Sequence, residues 1–119
     1  MKKIGIILCL LLLFGLTACT NADVEEKKED NTVESIMAKG NYVIVDVRTK
    51  EEYEISHVKG AINIPYDEID ENTDLPKEKT IFVYCKSGTR SGYAYDSLKE
   101  LGYDVINLGA MDSITLEKE

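Results

Sequence analysis

Ile81-Phe82-Val83-Tyr84-Cys85-Lys86-Ser87-Gly88-Thr89-Arg90-Ser91 passes from a short apolar run into a polar turn and then into a helical pattern. A run of consecutive apolar residues suits a strand covered on both faces, because neither row of side chains meets water. Gly88 supplies a turn position where positive φ costs little. Cys85 is the first residue of that turn. Backbone N–H groups of such a turn and of the first helical turn converge on a common centre, and the helix dipole adds partial positive charge there. Each effect favours the charged form of sulfur. The Cys85 thiol pKa is therefore expected to fall, populating a nucleophilic thiolate near neutral pH.

Outward from this segment the pattern alternates between strands and helices. Tyr42-Val43-Ile44-Val45-Asp46-Val47 is a second apolar run, and Ala61-Ile62-Asn63-Ile64 is a short strand ended by Pro65. Asn31 with Glu34 resembles a helix N-cap; Val33, Ile36 and Met37 share one face, and Gly40 stops the helix. Thr49-Lys50-Glu51-Glu52 is a capping box opening a short helix, and residues 67–69 read as one helical turn. After the cysteine loop a helix runs from Ser91 to Leu101, with Ala94, Leu98 and Leu101 on one face and Gly102 ending it. Asp104 to Leu108 is a last strand, followed by a weak helical tail from Met111 to Leu116. This order predicts an α/β domain with a parallel sheet and helices on both faces. Ligands in such sheets bind at the carboxyl ends of strands, where Cys85, Asp46 and Arg48 fall.

The amino terminus reads as an address. Lys2 and Lys3 precede an apolar stretch, Ile4 to Leu16, of about thirteen residues, short of the roughly twenty that span a bilayer. Leu16-Thr17-Ala18-Cys19 follows and resembles the lipobox of bacterial lipoproteins. That resemblance implies a signal peptide over residues 1–18 and a lipidated Cys19. It also implies an extracytoplasmic protein of the bacterial cell envelope, anchored to a membrane without spanning it. Residues 20–30 are polar and charged and read as a disordered tether. The folded domain is expected over residues 31–119, about ninety residues with one modest core.

Three cysteines are present. With Cys9 in the signal peptide and Cys19 alkylated, Cys85 is left as an unpaired thiol, which flags reactivity. His57 is the one histidine, and one histidine beside one thiol speaks against a protein metal site. The formal net charge is −8, or −10 without the two signal-peptide lysines. Such an acidic chain argues against nucleic acid as a partner and repels anions at long range, so any anion site must be local. Lys86 and Arg90 beside Cys85 are the residues to supply it.

Four segments in order resemble the single-domain rhodanese-like proteins: Asp46-Val47-Arg48; Glu52 through His57-Val58-Lys59-Gly60-Ala61-Ile62-Asn63-Ile64-Pro65; Cys85-Lys86-Ser87-Gly88-Thr89-Arg90-Ser91; and Leu101-Gly102-Tyr103. The resemblance implies a parallel five-stranded sheet flanked by helices and a catalytic Cys85 that carries sulfane sulfur as a persulfide, with no cofactor. Two features depart from the family pattern. Gly109-Ala110-Met111-Asp112-Ser113 stands where rhodaneses usually carry Gly-Gly and, soon after, a tryptophan; this chain has no tryptophan.

On this reading the Cys85 thiolate takes the outer sulfur from a small sulfur-containing anion or persulfide donor and passes it to a thiol or other thiophilic acceptor. The amides of Lys86, Ser87, Gly88, Thr89 and Arg90 are expected to surround the sulfur. Arg90 either binds the anion or closes the loop by pairing with a carbonyl or carboxylate. The Ser87 and Thr89 hydroxyls either bond the sulfur or cap the following helix, and Ser91 is expected to cap it. The resemblance also implies that Asp46 and Arg48 brace the active loop through charge-assisted bonds, and it places His57 in a structural turn. Tyr93 and Tyr95 pack the helix or line the rim of the site. Two rival readings share these residues. One is a binding or relay module that hands on a persulfide with little turnover. The other is a thiol phosphatase, whose loop is one residue longer than the four residues between Cys85 and Arg90; a tighter cradle suits one sulfur atom better than a phosphate.

Overall fold

Apolar runs become parallel strands here because both faces of the sheet are covered. The computed structural model describes residues 32–119; the expected signal peptide, lipidated Cys19, tether and Asn31 cap lie outside the described residues. The elements are α1 (Val33–Lys39), β1 (Tyr42–Asp46), α2 (Lys50–Ile55), β2 (Ile62–Asn63), a 3-10 turn (Tyr66–Glu68), β3 (Thr80–Cys85), α3 (Thr89–Glu100), β4 (Asp104–Ala110) and a second 3-10 turn (Met111–Ser113). The sheet order is β2-β1-β3-β4 and every pairing is parallel. Crossovers between parallel neighbours need intervening segments, and α2, α3 and the long connection before β3 provide them.

Strand β3 shows the two-sided burial residue by residue. Ile81, Val83 and Cys85 join Val45, Val47, Leu75, Ala94, Leu98, Tyr103 and Val105 in one core. Phe82 and Tyr84 join Ile44, Val58, Ala61 and Ile114 in the other, under Val33, Ile36 and Met37 of α1 and Tyr53 of α2. Period-two alternation with both rows buried is why the run looks uniformly apolar in sequence. The Tyr103 hydroxyl reaches across 28 residues to accept from the Leu75 amide (3.2 Å) and donates to the Thr73 carbonyl (3.0 Å). These two bonds pin the connection into β3.

The sheet has four strands among the described residues, where the family resemblance implied five. Residues 57–59 and 117–119 do run antiparallel, with His57 and Glu119 exchanging backbone bonds of 2.9 and 2.7 Å. They form only an isolated bridge, Val58 with Lys118. The pairing covers only three residues on each side, closed by the Lys59 amide on the Glu117 carbonyl at 2.8 Å. The alternate amide, that of Val58, faces away from this pairing and donates to the Tyr84 hydroxyl at 2.9 Å. The expected helical tail is also corrected: after the turn at Met111–Ser113 the chain is extended. Ile114 packs into the core and the tail backbone pairs with residues 57–59. Helix α3 begins two residues earlier than its pattern suggested, at Thr89.

Tyr84 therefore joins three elements. Its hydroxyl accepts from Val58 N–H and donates to the fully buried Asp46 carboxylate at 2.6 Å. Replacing Tyr84 by Phe leaves both partners short of a bond in a dry site, which typically costs about 1–3 kcal/mol. Urea unfolding of Tyr84→Phe is expected to show a loss in that range; a loss below about 0.5 kcal/mol would contradict this account.

Candidate active site

Cys85 ends β3 with its side chain fully buried. The turn after it curls because Gly88 takes φ +99°, a left-handed conformation that a side chain would strain. That curl aims the first amides of α3 back at the sulfur. Gly88 N–H donates to Cys85 Sγ at 2.9 Å and Ser91 N–H at 3.3 Å. The Ser91 hydroxyl lies 3.5 Å from Sγ and donates to the Gly88 carbonyl at 3.1 Å. In the thiol form Cys85 donates to this hydroxyl; a hydroxyl rotates freely, so it turns to donate to a thiolate.

Two opposing effects act on the sulfur. Burial pushes the Cys85 thiol up and is the largest single effect. The Ser91 hydroxyl and the amides of Ser91, Gly88 and Ser87 stabilise the charged form, and together they carry the pKa below the ordinary thiol value. The cradle overcomes the burial that created it.

The loop residues divide by role. Gly88 provides a sulfur-binding amide and the curl. Lys86, Ser87 and Thr89 project their side chains outward, and the Ser87 and Thr89 hydroxyls lie 3.5 Å from each other rather than on the sulfur. Arg90 closes onto a carboxylate: its two terminal nitrogens meet Glu52 Oε1 at 2.7 Å and Oε2 at 3.2 Å. Glu52 is the same residue that closes the capping box with Thr49 at the start of α2. The Arg90 fork, then Thr49, hold its carboxyl down at about 2.

Asp46 and Arg48 lie one layer behind the cysteine. Arg48 Nε and one terminal nitrogen grip Asp46, at 2.9, 3.0 and 2.6 Å, and the same terminal nitrogen donates to the Ser56 carbonyl at 2.6 Å. Their side-chain bonds run to Tyr84 and Ser56, so they brace the strand end that carries Cys85 rather than residues 86–90. His57 lies elsewhere: its ring stacks on Tyr53 at 3.8 Å, and its nitrogens face the Tyr53 carbonyl and Glu119. Tyr93 is exposed on α3 and stacks with Tyr66 at 6.0 Å, whereas Tyr95 packs against the core. A cleft of about 380 Å³ lined by Lys50, Tyr53, Glu54, Asn63, Pro65 and Glu68 contains none of residues 85–91, so volume does not locate the chemistry.

Two residues take on site roles that the linear pattern hid. Ser91 reads as a helix cap and serves as a sulfur ligand. Glu52 reads as a capping-box acid and is also Arg90's partner. The Glu-x-x spacing from Thr49 announces only the local half of that role.

Residues 29–115 match the family model described as Rhodanese-like domain. The chain belongs to that family. It is 45% identical over 78 residues to thiosulfate sulfurtransferase PspE of Escherichia coli (strain K12), covering 62% of this chain and 75% of that one. It is 40% identical over 84 residues to the adenylyltransferase and sulfurtransferase uba4 of Ogataea parapolymorpha, covering 69% of this chain but 22% of that protein. Among solved structures, a rhodanese with anions from E. coli superimposes with a TM-score of 0.61 at 40% identity, covering 66% of this chain and 96% of the other.

The sulfur cradle of this rhodanese-like domain makes a pH prediction. A lowered Cys85 pKa means the thiolate is already populated below the pH at which an ordinary thiol ionises, so iodoacetamide alkylation should reach half its plateau below that pH. Ser91→Ala removes one stabilising bond and should move the midpoint upward. An unmoved midpoint would show that the hydroxyl plays no part.

Proposed function

We propose that this chain is a sulfurtransferase that moves sulfane sulfur through a persulfide on Cys85. The observation that carries the reading is the cradle itself: two amides and a hydroxyl converge on one buried sulfur at a strand end, and they favour its anion. In the first half-reaction the Cys85 thiolate attacks the outer sulfur of a thiosulfate-like or persulfide donor. The donor's S–S bond breaks, sulfite or a thiolate leaves with the electron pair, and Cys85 keeps the sulfur as a persulfide. In the second, an acceptor thiolate, sulfite or cyanide attacks that sulfur and the Cys85 thiolate is regenerated. This is a ping-pong scheme with a covalent intermediate. The thiosulfate sulfurtransferase named among its relatives supports the reading. Thiol phosphatase chemistry is disfavoured because Arg90, the residue that would hold a phosphate, is occupied by Glu52.

Intact mass spectrometry of the purified full chain after thiosulfate or alkyl persulfide treatment is expected to show a gain of about 32 Da, one sulfur atom on the nucleophile. Cyanide or a thiol should remove it, and Cys85→Ser should never acquire it. No adduct from either donor, with Cys85 still alkylated readily, would refute the proposal. An adduct that forms promptly and leaves slowly would favour the persulfide-relay form of the same chemistry.

We propose further that the protein is exported and held on a membrane of the bacterial cell envelope through lipid on Cys19. The motif Leu16-Thr17-Ala18-Cys19 supports this. No helix among the described residues is long and apolar enough to cross a membrane. When expressed in a bacterium the full chain should sediment with membranes and carry acyl mass on a new N-terminal Cys19, and Cys19→Ala should abolish both. A wild-type chain without acyl mass would sink this anchoring.

A further inference from the structure

Arg90 is the loop's best anion ligand by chemistry, yet its guanidinium is already engaged. Both terminal nitrogens are committed to Glu52, at 2.7 and 3.2 Å, and the two side chains are only 26% and 29% exposed. Glu52 is not free to swing away. Its Oε1 also accepts from the Thr49 amide and the Thr49 hydroxyl, each at 3.1 Å, so the capping box holds the carboxylate in position. The pairing joins residues 38 apart in sequence and spans two helices. Lys86 is the remaining cation of the loop; it is exposed and makes no ion pair among the described residues.

The charges around Cys85 then cancel. Arg90 is neutralised by Glu52, Arg48 by Asp46, and Lys86 is matched by the Cys85 thiolate. A doubly charged donor such as thiosulfate meets no unpaired arginine there and approaches an acidic chain of formal charge −8. A donor of low charge loses nothing by this arrangement.

Resting on the sulfurtransferase reading above, we infer that Glu52 is the residue that sets donor specificity: by occupying Arg90 it favours organic hydropersulfides over dianionic sulfur donors. The favoured step is balanced without any further reactant. Cys85–S⁻ attacks the outer sulfur of R–S–SH, the donor's S–S bond breaks, R–S⁻ departs with the electron pair and takes the proton, and Cys85–S–S⁻ remains. Glu52 acts through Arg90 and does not touch the reacting atoms, so it is a specificity-determining and positioning residue rather than a catalytic one.

The test compares the rate of Cys85 persulfide formation, read by intact mass, from sodium thiosulfate and from the hydropersulfide of N-acetylcysteine amide, which carries no carboxylate. Glu52→Gln is the informative variant, because glutamine still completes a capping box while the charge is lost. It is expected to speed thiosulfate loading at least about tenfold while changing hydropersulfide loading less than about threefold. Adding Arg90→Gln to Glu52→Gln should abolish the gain. Thr49→Ala, which loosens the cap and keeps the Glu52 charge and the Arg90 fork, should move the ratio of the two rates much less than Glu52→Gln does. Parallel changes with both donors, or a Thr49→Ala shift as large as that of Glu52→Gln, would overturn the inference and leave the sulfurtransferase reading standing. Failure of both donors to load the wild type would overturn both. A variant-independent measurement uses inorganic sulfate, an unreactive dianion, as competitor of wild-type hydropersulfide loading. Weak inhibition is expected, and inhibition at submillimolar sulfate would contradict a site closed to dianions.

Discussion

A carboxylate with no solvent exposure, Asp46, sits at the carboxyl end of β1, and the geometry of the site depends on how it is satisfied. An ionised group buried without partners is prohibitively costly, and removing one partner from a buried pair is far worse than never having built it. Asp46 receives the Arg48 amide and side chain and the Tyr84 hydroxyl. Through Arg48 it reaches the Ser56 carbonyl, and through Tyr84 the Val58 amide. The network ties the end of β1, the end of β3 and the chain leaving α2. Tyr84 immediately precedes Cys85, so the backbone that presents the nucleophile is fixed from behind by groups that never contact it.

In front of the sheet the logic reverses, because the sulfur helps to hold its own cradle. Gly88 and Ser91 amides find their partner in Cys85 Sγ, while Ser91 also bonds the Gly88 carbonyl. A thiolate strengthens these bonds and a neutral thiol weakens them, so loop shape and sulfur charge support each other. The bulge in β4, which shifts register opposite Val83 and Tyr84, brings Gly109 to within ordinary contact of the space a Gly88 side chain would fill. Gly109 itself takes φ +87°, a left-handed conformation that suits glycine at the bulge.

Legibility in the sequence follows the range of the interaction. The runs over residues 42–47 and 81–84 declare buried parallel strands because two-sided burial removes every polar position, and the Thr49–Glu52 cap is written in adjacent residues. Position Cys85 follows from the strand-to-turn transition alone. The role of Ser91 is hidden because a helix cap and a sulfur ligand occupy the same place at a helix start. The Arg90–Glu52 pair is hidden because nothing local to either residue names the other. The fifth strand implied by the family resemblance is reduced to a bridge between Val58 and Lys118, a pairing between distant segments that no periodicity encodes. The tail departs from its helical pattern for a related reason: Ile114 packs into the core and the following residues pair with a distant segment rather than with their own next turn.

The capping box also explains why a partly exposed ion pair matters here. Surface pairs usually contribute little, because two long side chains must be frozen to form them. In Glu52 most of that freezing is already done by Thr49, whose amide and hydroxyl hold Oε1 at a helix N-terminus where negative charge is favoured. Arg90 therefore docks onto a carboxylate whose position is set before it arrives, and its fork adds two bonds at reduced entropic cost. The depressed pKa of Glu52, about 2, reflects that arrangement, since protonation must break the bonds from Arg90 and from Thr49 together. The pair's stabilisation is full above the ordinary carboxyl value of 4.5 and is lost only as pH falls through about 2, so across neutral pH the Arg90 charge stays engaged. A helix-starting motif written in four consecutive residues thus reaches across the molecule to set the charge balance beside the nucleophile.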